Sequence, residues 1–418
     1  MAVDLVVIGL GYVGLPLAQE AARSGLSVVG LDVDSRVVGA LNDGRSHIDD
    51  LTDADVGDML SRGFRASTDP AVLASGETVI VCVPTPLFAE GAPDLSAVTS
   101  AAETMAGYLR PGMLVVLEST TYPGTTDEVL RPILEKSGLV AGEDFCLAFS
   151  PERIDPGNAV YRLKNTAKVV GGHSAVCTER ATRFYSQFVD TVVAARGTRE
   201  AEMAKLLENT YRHVNIALVN EMAKFCRELS VDLWDVIRCA STKPFGFQAF
   251  HPGPGVGGHC IPIDPNYLSY KVRTLGYPFR FVELAQEINA TMPAYIARRA
   301  QDILNERGRA VRGARILLLG VTYKADISDQ RESPAVQVAR HLQGLGADIA
   351  YHDPFVARWS VDGATLSRVG DLDAELGSAD LAVLLQAHSA YDLGEIARKA
   401  RLLFDTRGKI TDGPVERL

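Results

Sequence analysis

The sequence predicts an α/β protein built on two doubly wound parallel sheets, with a helical region between them. Continuous apolar runs of strand length alternate with helical segments towards both ends of the chain. Between these two series, residues 199–230 contain neither Gly nor Pro and repeat apolar residues at helical spacing. Alternating strands and helices form parallel sheets covered on both faces. We therefore expect two Rossmann-like domains joined by a long central helix and a small helical domain.

The first series begins with VDLVVI at residues 3–8, an uninterrupted apolar run that is typical of a buried parallel strand. A helix is expected from about Leu15 to Arg23, and Gly25 ends it. Similar apolar runs predict further strands of the same parallel sheet at residues 27–34, 77–86, 113–120, 145–152 and 167–172.

The long helix and the second series follow. The helix is predicted from apolar residues that recur at helical spacing, namely Met203, Leu206, Leu207, Tyr211, Val214, Leu218, Met222 and Phe225. More helices are expected up to about Gly308. Strands are then predicted at residues 314–324, 347–353, 379–387 and 400–408, with a helix at residues 334–346. The predicted domains are therefore residues 1–198, 199–308 and 309–418.

Composition narrows the possible partners and the compartment. The chain has 418 residues, is 47% hydrophobic and 22% charged, and carries a formal net charge of −10. An acidic chain of this kind argues against a nucleic acid or an anionic membrane as partner, but not against an anionic small molecule. No window reaches the apolar length of a membrane span, and the first residues are expected to form a strand rather than a signal peptide.

The six cysteines are scattered singly and no CxxC occurs, which predicts neither a metal site nor a disulfide framework. We therefore expect a reducing cytoplasm. Five cysteines are expected to be small buried hydrophobes, namely Cys82, Cys146, Cys177, Cys226 and Cys239. Cys260 differs from them because it lies in a stretch of glycines and prolines.

A dinucleotide site is predicted directly after the first strand. Gly9, Gly11 and Gly14 spell GxGxxG where a strand ends and a helix begins. These glycines permit a tight turn, close approach of the backbone to a pyrophosphate, and close helix–strand packing. Asp32 ends the second predicted strand, where a carboxylate accepts hydrogen bonds from a ribose 2′-OH and repels a 2′-phosphate. We therefore predict NAD, rather than NADP, as the cofactor.

The second α/β series lacks this glycine motif and has GVTYK at residues 320–324 instead. The segment KADISDQRESP follows and carries Lys324 and Arg331. From these residues alone, two interpretations stay open: a nucleotide site that uses charge rather than a glycine cradle, or a solvated loop.

The stretch HPGPGVGGHCIPIDP, residues 251–265, excludes a regular helix or a central strand because of its glycines and prolines. It contains Cys260 and Asp264. Lys205 and Asn209 lie one turn apart on the long helix, on a face that we expect to be mostly apolar. The local alternatives are an inert loop cysteine and a lysine at the rim of the fold that reaches solvent. An NAD site together with a loop cysteine suggests oxidation of an aldehyde to an acid through a thioester.

Seven motifs, in order along nearly the whole chain, resemble the UDP-glucose/GDP-mannose dehydrogenase family of nucleotide-sugar 6-dehydrogenases. They are GLGYVG, CVPTP, ESTTYPGTT, SPERIDPGN, AKLLENTYRHVNIALVNE, PGPGVGGHCIPIDP and GVTYKADISDQRESP. The resemblance implies oxidation of a sugar C6 alcohol to a carboxylate by two NAD+, without release of the aldehyde. Such uronic acids serve polysaccharide biosynthesis, and a homodimer built on the long helix, or a higher homo-oligomer, is implied as well.

The resemblance also implies roles for individual residues. Cys260 matches the nucleophile that forms a thiohemiacetal and then a thioester, and Lys205 matches the lysine that stabilises oxyanions. Asn209 matches its partner at the reacting oxygen, and Asp264 matches the aspartate that supports a bound water. Thr121 and Glu152 match residues that position water, with Glu152 as a candidate acid/base. The full set of implied cofactor contacts is Gly9, Gly11, Tyr12, Val13, Gly14, Asp32, Thr85, Thr121 and Arg331. The implied substrate contacts are Glu152, Arg153, Lys205, Asn209, Phe250, Gly257 and Lys324.

The sequence departs from the plain UDP-glucose type of this family. No arginine lies between Ser241 and Cys260, and GGHC and IPID replace GGSC and a Lys–Asp pair. The form KPFGFQAF with GGHCIPIDP resembles the branch that handles UDP-N-acetylhexosamines, so we expect UDP-GlcNAc or UDP-glucose, with a TDP-linked hexose as a further substrate class. Two other functions remain as alternatives: a two-electron hydroxyacid dehydrogenase, and a non-catalytic nucleotide-sugar-binding protein. The number of NADH formed per acid distinguishes them.

Overall fold

The computed structural model describes residues 3–88, 91–155, 157–158, 160–258, 261–411 and 413–418. By its internal contacts the chain forms two compact units. The first comprises Met1–Glu208 and Asn266–Pro278, and the second comprises Asn209–Pro265 and Phe279–Leu418. The predicted division into three domains stays a prediction.

The first unit contains an eight-stranded sheet, which confirms the first predicted series. Its strands in chain order are β1 (Val3–Ile8), β2 (Val28–Leu31), β3 (Arg65–Ser67), β4 (Gly76–Val81), β5 (Leu114–Leu117), β6 (Cys146–Phe149), β7 (Lys168–Gly172) and β8 (Val192–Ala194). The spatial order is β3-β2-β1-β4-β5-β6-β7-β8. The central strands β1, β4, β5 and β6 pair in parallel, and nearly all their residues are buried.

One predicted direction is wrong, because β7 runs antiparallel to β6. A parallel pair requires a crossover, which is usually a helix. The described residues of the segment between β6 and β7 contain no helix, so the chain returns along β6 without crossing over. This return brings the first residue of β7, Lys168, next to the segment that follows β6.

Helices pack on both faces of this sheet, and two separate apolar clusters form the layers between them. The α-helices of the first part of the chain are α1 (Gly14–Arg23), α2 (Ser35–Asn42), α3 (Asp53–Ser61), α4 (Ser96–Ala106), α5 (Arg131–Leu134) and α6 (Ala175–Tyr185). Short 3-10 turns cover Pro70–Ser75 and Glu135–Ser137, and a π-helical turn covers Thr126–Leu130.

The predicted long helix is confirmed as α7 (Thr198–Glu228). Three further helices follow before the second series of strands begins: α8 (Leu233–Ala240), α9 (Asp264–Thr274) and α10 (Arg280–Glu306). Helix α11 (Pro334–Gly344) lies within that second series. Because α9 starts at Asp264, the prediction that residues 251–265 hold no helix is wrong at its last two residues. Proline is tolerated in the first turn of a helix, so Pro265 does not prevent this start.

The second unit contains a five-stranded sheet in which every pairing is parallel. Its strands are β9 (Arg315–Leu319), β10 (Asp348–His352), β13 (Leu381–Leu384), β14 (Leu403–Asp405) and β15 (Val415–Arg417), in the order β10-β9-β13-β14-β15. A separate antiparallel pair consists of β11 (Arg358–Val361) and β12 (Ala364–Ser367). Helices α12 (Leu372–Ser378) and α13 (Leu393–Lys399) complete the α/β pattern, so the predicted fold class is confirmed.

The buried face of α7 mixes polar with apolar residues, and the sequence did not predict its polar part. Its buried polar residues are Glu202, Lys205, Asn209, Thr210, His213 and Asn220. Several of the apolar residues that predicted the helix are exposed instead, including Leu207 at 65% and Leu218 at 53%. Periodicity located the helix correctly, but it did not indicate which of these apolar residues lie inside, since Leu206 is buried and Leu207 is not.

Among the described residues, no helix combines the length and the apolar character that crossing a membrane requires.

Candidate functional site

The glycine turn after β1 has the geometry of a dinucleotide cradle. Gly9 has φ +89°, and a Cβ at Gly14 would lie 1.9 Å from the carbonyl oxygen of Gly9. These two glycines are therefore required by the turn and by the packing of α1 on β1. Gly11 has open space where its side chain would be, so a ligand can approach the backbone there. The residues present fit the pyrophosphate of NAD at the start of α1.

Asp32 directly follows β2 and connects it to this turn. Its Oδ2 accepts a hydrogen bond from Leu10 N at 2.9 Å, and its Oδ1 accepts one from Asp34 N at 2.9 Å. Each carboxylate oxygen keeps a further lone pair for a ribose hydroxyl. Tyr12 and Val13 lie partly buried against the core of the first unit, so both contribute packing at the turn.

Two threonines lie in the loops that follow β4 and β5. The hydroxyl of Thr85 donates to the carbonyl of Thr120 at 2.8 Å, which joins these two loops. The hydroxyl of Tyr267, on α9, donates to the carbonyl of Thr85. Thr121 is buried, and its Oγ1 has no hydrogen-bond partner among the described residues. A buried hydroxyl of this kind requires an explanation, such as a ligand or a water.

Glu152, in the segment after β6, lies against α7. Lys205 is only 7% exposed, and its Nζ donates to the backbone carbonyl of Glu152 at 2.5 Å. The interpretation of Lys205 as a rim lysine is therefore wrong. The neighbouring Arg153 forms an ion pair with Glu208 at 2.8 Å and donates to the carbonyl of Ala167. The segment after β6 is thus held by both α7 and β7.

Asn209 and Asp264 are brought together in the second unit. Both are buried, and Asn209 Nδ2 donates to Asp264 Oδ2. Asp264 is the first residue of α9, where the partial positive charge of a helix N-terminus favours a carboxylate. Asn209 therefore faces the interior of the second unit rather than solvent.

The glycine–proline loop of residues 251–258 is held at several points. Gly253 N donates to the buried Asn220 Oδ1 at 2.9 Å, and Gly258 N donates to Arg331 O at 3.2 Å. A Cβ at Gly257 would lie 2.6 Å from the carbonyl oxygen of Glu332. Close backbone packing therefore requires a glycine at residue 257.

The predicted nucleophile follows this loop, and two aromatic contacts lie at the start of the loop. Cys260 and the preceding His259 lie outside the described residues. Phe250, just before the loop, packs edge-to-face on Tyr211 with ring centroids 5.6 Å apart. His251 stacks on Trp234 with an interplanar angle of 15°, and burial, with a smaller contribution from Lys409, lowers the pKa of His251.

Lys324 and Arg331 belong to the segment between β9 and α11. The carbonyl of Lys324 accepts a hydrogen bond from Thr322 Oγ1 at 2.7 Å. The guanidinium of Arg331, half exposed, pairs with Asp329 at 2.6 Å. The same segment is anchored by His388, whose Nε2 lies 3.0 Å from Asp353 Oδ2 and whose Nδ1 accepts from Asp326 N at 2.9 Å. These contacts require the Nε2–H tautomer of His388.

Sequence reasoning missed the charged residues behind Glu152. Lys168 and Glu118 are buried in the first unit, with Lys168 Nζ 3.0 Å from Glu118 Oε2 and 3.8 Å from Glu152 Oε2. Tyr185, on α6, donates to the other oxygen of Glu118. The only signal in the sequence was a charged residue at the edge of each apolar run, at 118 and at 168.

The cysteine predictions are largely confirmed. Cys82, Cys146, Cys177 and Cys226 are buried, whereas Cys239 is exposed. Helix α8 buries Leu233 and Ile237, and Cys239 lies on the opposite side of that short helix. Among the described residues, no cluster of three His, Cys, Asp or Glu side chains could hold a metal ion.

Comparison with known proteins identifies matches along the whole chain. Three models of the UDP-glucose/GDP-mannose dehydrogenase family match: the NAD binding domain at residues 3–189, the central domain at residues 199–291 and the UDP binding domain at residues 317–412.

Individual relatives are similar over nearly their full length. An NDP-N-acetyl-D-galactosaminuronic acid dehydrogenase of Ralstonia nicotianae is 36% identical over 417 residues, covering 96% of this chain and 95% of the relative. A UDP-N-acetyl-D-glucosamine 6-dehydrogenase of Pseudomonas aeruginosa is 34% identical over 411 residues, covering 96% of each. The solved structure of a UDP-D-ManNAc dehydrogenase from Pyrococcus horikoshii is 32% identical, with a TM-score of 0.90 and coverage of 99% and 98%.

Proposed function

Because this chain belongs to the UDP-glucose/GDP-mannose dehydrogenase family, we propose that it oxidises the C6 hydroxyl of a UDP-linked N-acetylhexosamine to a carboxylate. It is an oxidoreductase with an NAD-binding domain and a UDP-binding domain. The observation that carries the proposal is the burial of Lys205 and Asn209 on α7, where their polar ends contact the Glu152 carbonyl and the Asp264 carboxylate. Burying an ammonium group and an amide costs free energy that their hydrogen bonds offset, and an apolar side chain would avoid this cost, so their placement supports a catalytic use.

The proposed reaction comprises two oxidations and a hydrolysis, with Cys260 as the nucleophile. When bound at the glycine turn, NAD+ would supply the hydride acceptor for each oxidation. The Cys260 thiolate adds to the C6 aldehyde to give a thiohemiacetal, whose oxidation gives a thioester, and water then releases the acid and the thiol. One alcohol, one water and two NAD+ are consumed, and one carboxylate, two NADH and three protons are formed. This route requires a thiolate, which a reducing compartment preserves, so we also propose a location in the cytoplasm.

We assign three roles to residues of the first unit. The ammonium of Lys205 stabilises the negative charge that develops on the C6 oxygen. The unpartnered hydroxyl of Thr121 binds a water. Glu152 acts as the acid/base in thioester hydrolysis, and its Oε2 is buried without a hydrogen-bond partner among the described residues. A positioned carboxylate that accepts a proton from water is suited to this step.

In the second unit, Asn209 orients the reacting oxygen and Asp264 orients Asn209. The amide of Asn209 donates to the carboxylate of Asp264. This bond fixes which end of the amide is nitrogen, so its oxygen and remaining N–H face the substrate in a defined way. The helix N-terminus at Asp264 supports the ionised carboxylate that this arrangement requires.

The proposed cofactor and substrate contacts combine the geometry of the glycine turn with the resemblance to the family. The turn at Gly9, Gly11 and Gly14 is proposed to hold the NAD pyrophosphate and Asp32 the ribose, with the remaining predicted cofactor contacts at Tyr12, Val13, Thr85, Thr121 and Arg331. The proposed substrate contacts outside the catalytic group are Arg153, Phe250, Gly257 and Lys324. The match to a UDP binding domain supports residues 309–418 as the part that holds the nucleotide.

The choice of an N-acetylated hexose is supported by the names of the relatives, which cover the galacto, gluco and manno forms. It is also supported by the absence of an arginine between Ser241 and Cys260. UDP-glucose is the comparison substrate. We propose domain boundaries at residues 1–198, 199–308 and 309–418, which the positions of the three family models support.

We also propose a homodimer formed through α7. Leu207, Tyr211, Leu218 and Phe225 are all exposed, and at about 3.6 residues per turn they fall on one side of the helix. Lys205 lies on the opposite side. An apolar stripe exposed along a long helix is typical of a protein–protein interface.

The decisive experiment supplies purified protein with NAD+ and a panel of UDP-GlcNAc, UDP-GalNAc, UDP-ManNAc and UDP-glucose. We expect two NADH per sugar acid, with the N-acetylated sugars oxidised at a higher kcat/KM than UDP-glucose. One NADH per product would indicate a two-electron dehydrogenase, and no NADH with any of them would overturn the proposal.

The Cys260→Ser variant tests the thioester route. We expect overall acid formation to fall at least about a thousandfold, because a serine hydroxyl is a far weaker nucleophile than a thiolate. The Cys239→Ser variant is the matched control, since Cys239 is an exposed thiol on α8. Acid formation at the wild-type rate in Cys260→Ser would contradict the covalent mechanism.

A further inference from the structure

A buried group of charges lies behind Glu152 in the first unit. Lys168 is 3% exposed, and its Nζ is 3.0 Å from Glu118 Oε2, 3.8 Å from Glu152 Oε2 and 5.2 Å from the centre of the Tyr185 ring. Tyr185 donates to Glu118 Oε1. Only Glu152 has a role in the proposed reaction, so the other three buried polar groups require a reason of their own.

The positions of these residues in the fold connect them to two loops of the proposed site. Glu118 directly follows β5 and precedes the loop that carries Thr121. Lys168 is the first residue of β7, and its Nζ also donates to the carbonyl of Pro151 at 3.4 Å. Lys205 donates to the next carbonyl, that of Glu152. Two buried lysines, one from a strand and one from a helix, therefore hold consecutive peptide units at Glu152.

The charges within this group balance. Glu118 and Glu152 supply two carboxylates, and Lys168 and Lys205 supply two ammonium groups. Among the described residues, the other titratable groups beside them are Cys82, which directly follows β4, and Tyr185. Burial together with Glu118 raises the pKa of both well above its ordinary value. Both are therefore neutral at physiological pH and leave the ion balance unchanged.

Lys168 keeps its charge despite its burial. Burial alone would lower the pKa of Lys168, but the carboxylates of Glu118 and Glu152 together raise it. Burial raises the pKa of Glu118, and Lys168 opposes that rise. A buried carboxylate without such a partner takes up a proton. The ammonium of Lys168 is thus shared between the carboxylates of Glu118 and Glu152.

We propose, on the basis of the proposed function, that Lys168 is a positioning residue. Its ammonium group, which also contacts Glu118, keeps Glu152 ionised and oriented for thioester hydrolysis. A general base must be deprotonated to accept a proton from water. Glu118 tunes this effect, because it competes with Glu152 for the same ammonium group.

The test uses Lys168→Met, which keeps the length of the side chain and removes its charge. Both hydride transfers precede hydrolysis, so this variant should release two NADH per active site in a burst and then turn over at least about tenfold more slowly than wild type. KM for the nucleotide sugar should stay within about twofold. The acid limb of the pH–rate profile should move up by about one pH unit or more, which corresponds to a tenfold higher proton affinity of Glu152.

A second substitution gives the opposite shift. Glu118→Gln removes the competing carboxylate, so the acid limb should move to lower pH, and the double variant should lie closer to wild type than Lys168→Met does. If Lys168→Met does not fold, the acid limb of the pH–rate profile of Glu118→Gln tests the proposal by itself. An unmoved acid limb in the folded variants, or slow turnover without a burst, overturns the proposal.

A direct measurement separates this proposal from the proposed function. Infrared difference spectra of wild type and Glu152→Gln identify the C=O band of the protonated Glu152 carboxyl, whether or not any sugar is oxidised. In Lys168→Met this band should appear at a pH at least about one unit higher. The absence of that shift refutes the role of Lys168 independently of whether the enzyme oxidises any of the nucleotide sugars.

Discussion

Glu202, on the buried side of α7, is expected to make the first unit less stable as the pH rises from 4.5 to about 7. Its carboxyl group is fully buried and accepts hydrogen bonds from Gly124 N at 2.5 Å, Thr126 N at 2.9 Å and Thr126 Oγ1 at 2.7 Å. Burial raises the pKa of Glu202 to about 7, although these three donors favour the ionised form.

The magnitude and the sign follow from the two pKa values. The unfolded chain loses this proton near pH 4.5 and the folded chain near pH 7, so the folded state binds more protons between them and its stability falls as pH rises. At about 1.4 kcal/mol per pH unit, a difference of about 2.5 units corresponds to about 3 kcal/mol. Glu202→Gln cannot ionise and should lack this slope. At low pH it should be the less stable protein, because its amide nitrogen faces the N–H of Gly124.

The assay is urea unfolding at a series of pH values, with hydrogen exchange at residues 121–126 as the local readout. We expect the stability of Glu202→Gln relative to wild type to improve by about 3 kcal/mol between pH 4.5 and pH 8. Glu200→Gln, on the exposed side of the same helix, should show no such change. If the difference in free energy of unfolding between wild type and Glu202→Gln stays constant over this pH range, the reasoning is refuted.

Three further predictions concern the second unit and the proposed interface. Gly258→Ala should lower kcat/KM at least about tenfold, because the φ of Gly258 is +84° and a Cβ would lie 2.7 Å from the Tyr323 ring. The control is Gly276→Ala, which should keep wild-type kinetics because Gly276 has a similar φ of +82° but open space around it. Leu218→Glu should convert the dimer to monomer in light scattering, and an unchanged mass would exclude α7 as the interface. Asp353→Asn should destabilise the second unit by about 2–4 kcal/mol in urea unfolding, since three donors lose a carboxylate acceptor; unchanged stability would contradict this.

The first strand and its glycine turn could be predicted from sequence because their causes are local. An uninterrupted apolar run predicts burial on both faces of a sheet, and β1 is buried in this way. Gly9 adopts a positive φ that other residues avoid, and Gly14 has no room for a Cβ. Residues close in sequence are sufficient for both conclusions.

The interior face of α7 could not be predicted in the same way. Apolar periodicity identifies a helix, but the rule that its apolar side faces inward assumes that polar groups find no partners inside. Here Glu202, Lys205 and Asn209 have partners far away in sequence, at residues 124–126, 152 and 264. Those partners make polar burial possible, and apolar residues such as Leu207 and Leu218 are exposed on the same helix.

The residues of the candidate site also differ in whether sequence alone could identify them. The GxGxxG turn and Asp32 could be named from residue type and spacing. Lys205, Asn209 and Asp264 were named only through the resemblance of the ordered motifs to a known family. The sequence by itself thus determined the fold class, the cofactor turn and the family to which the chain belongs.

Only the tertiary structure decided which charges lie together. Lys168 meets Glu118 and Glu152 because β7 returns antiparallel along β6, and this pairing depends on a connection without a crossover helix in its described residues. Electrostatic interactions in a buried site depend on distances of a few ångströms between segments that are remote in the chain. No local pattern encodes such distances, so the balance of charge around Glu152 emerged only once the sheet was assembled.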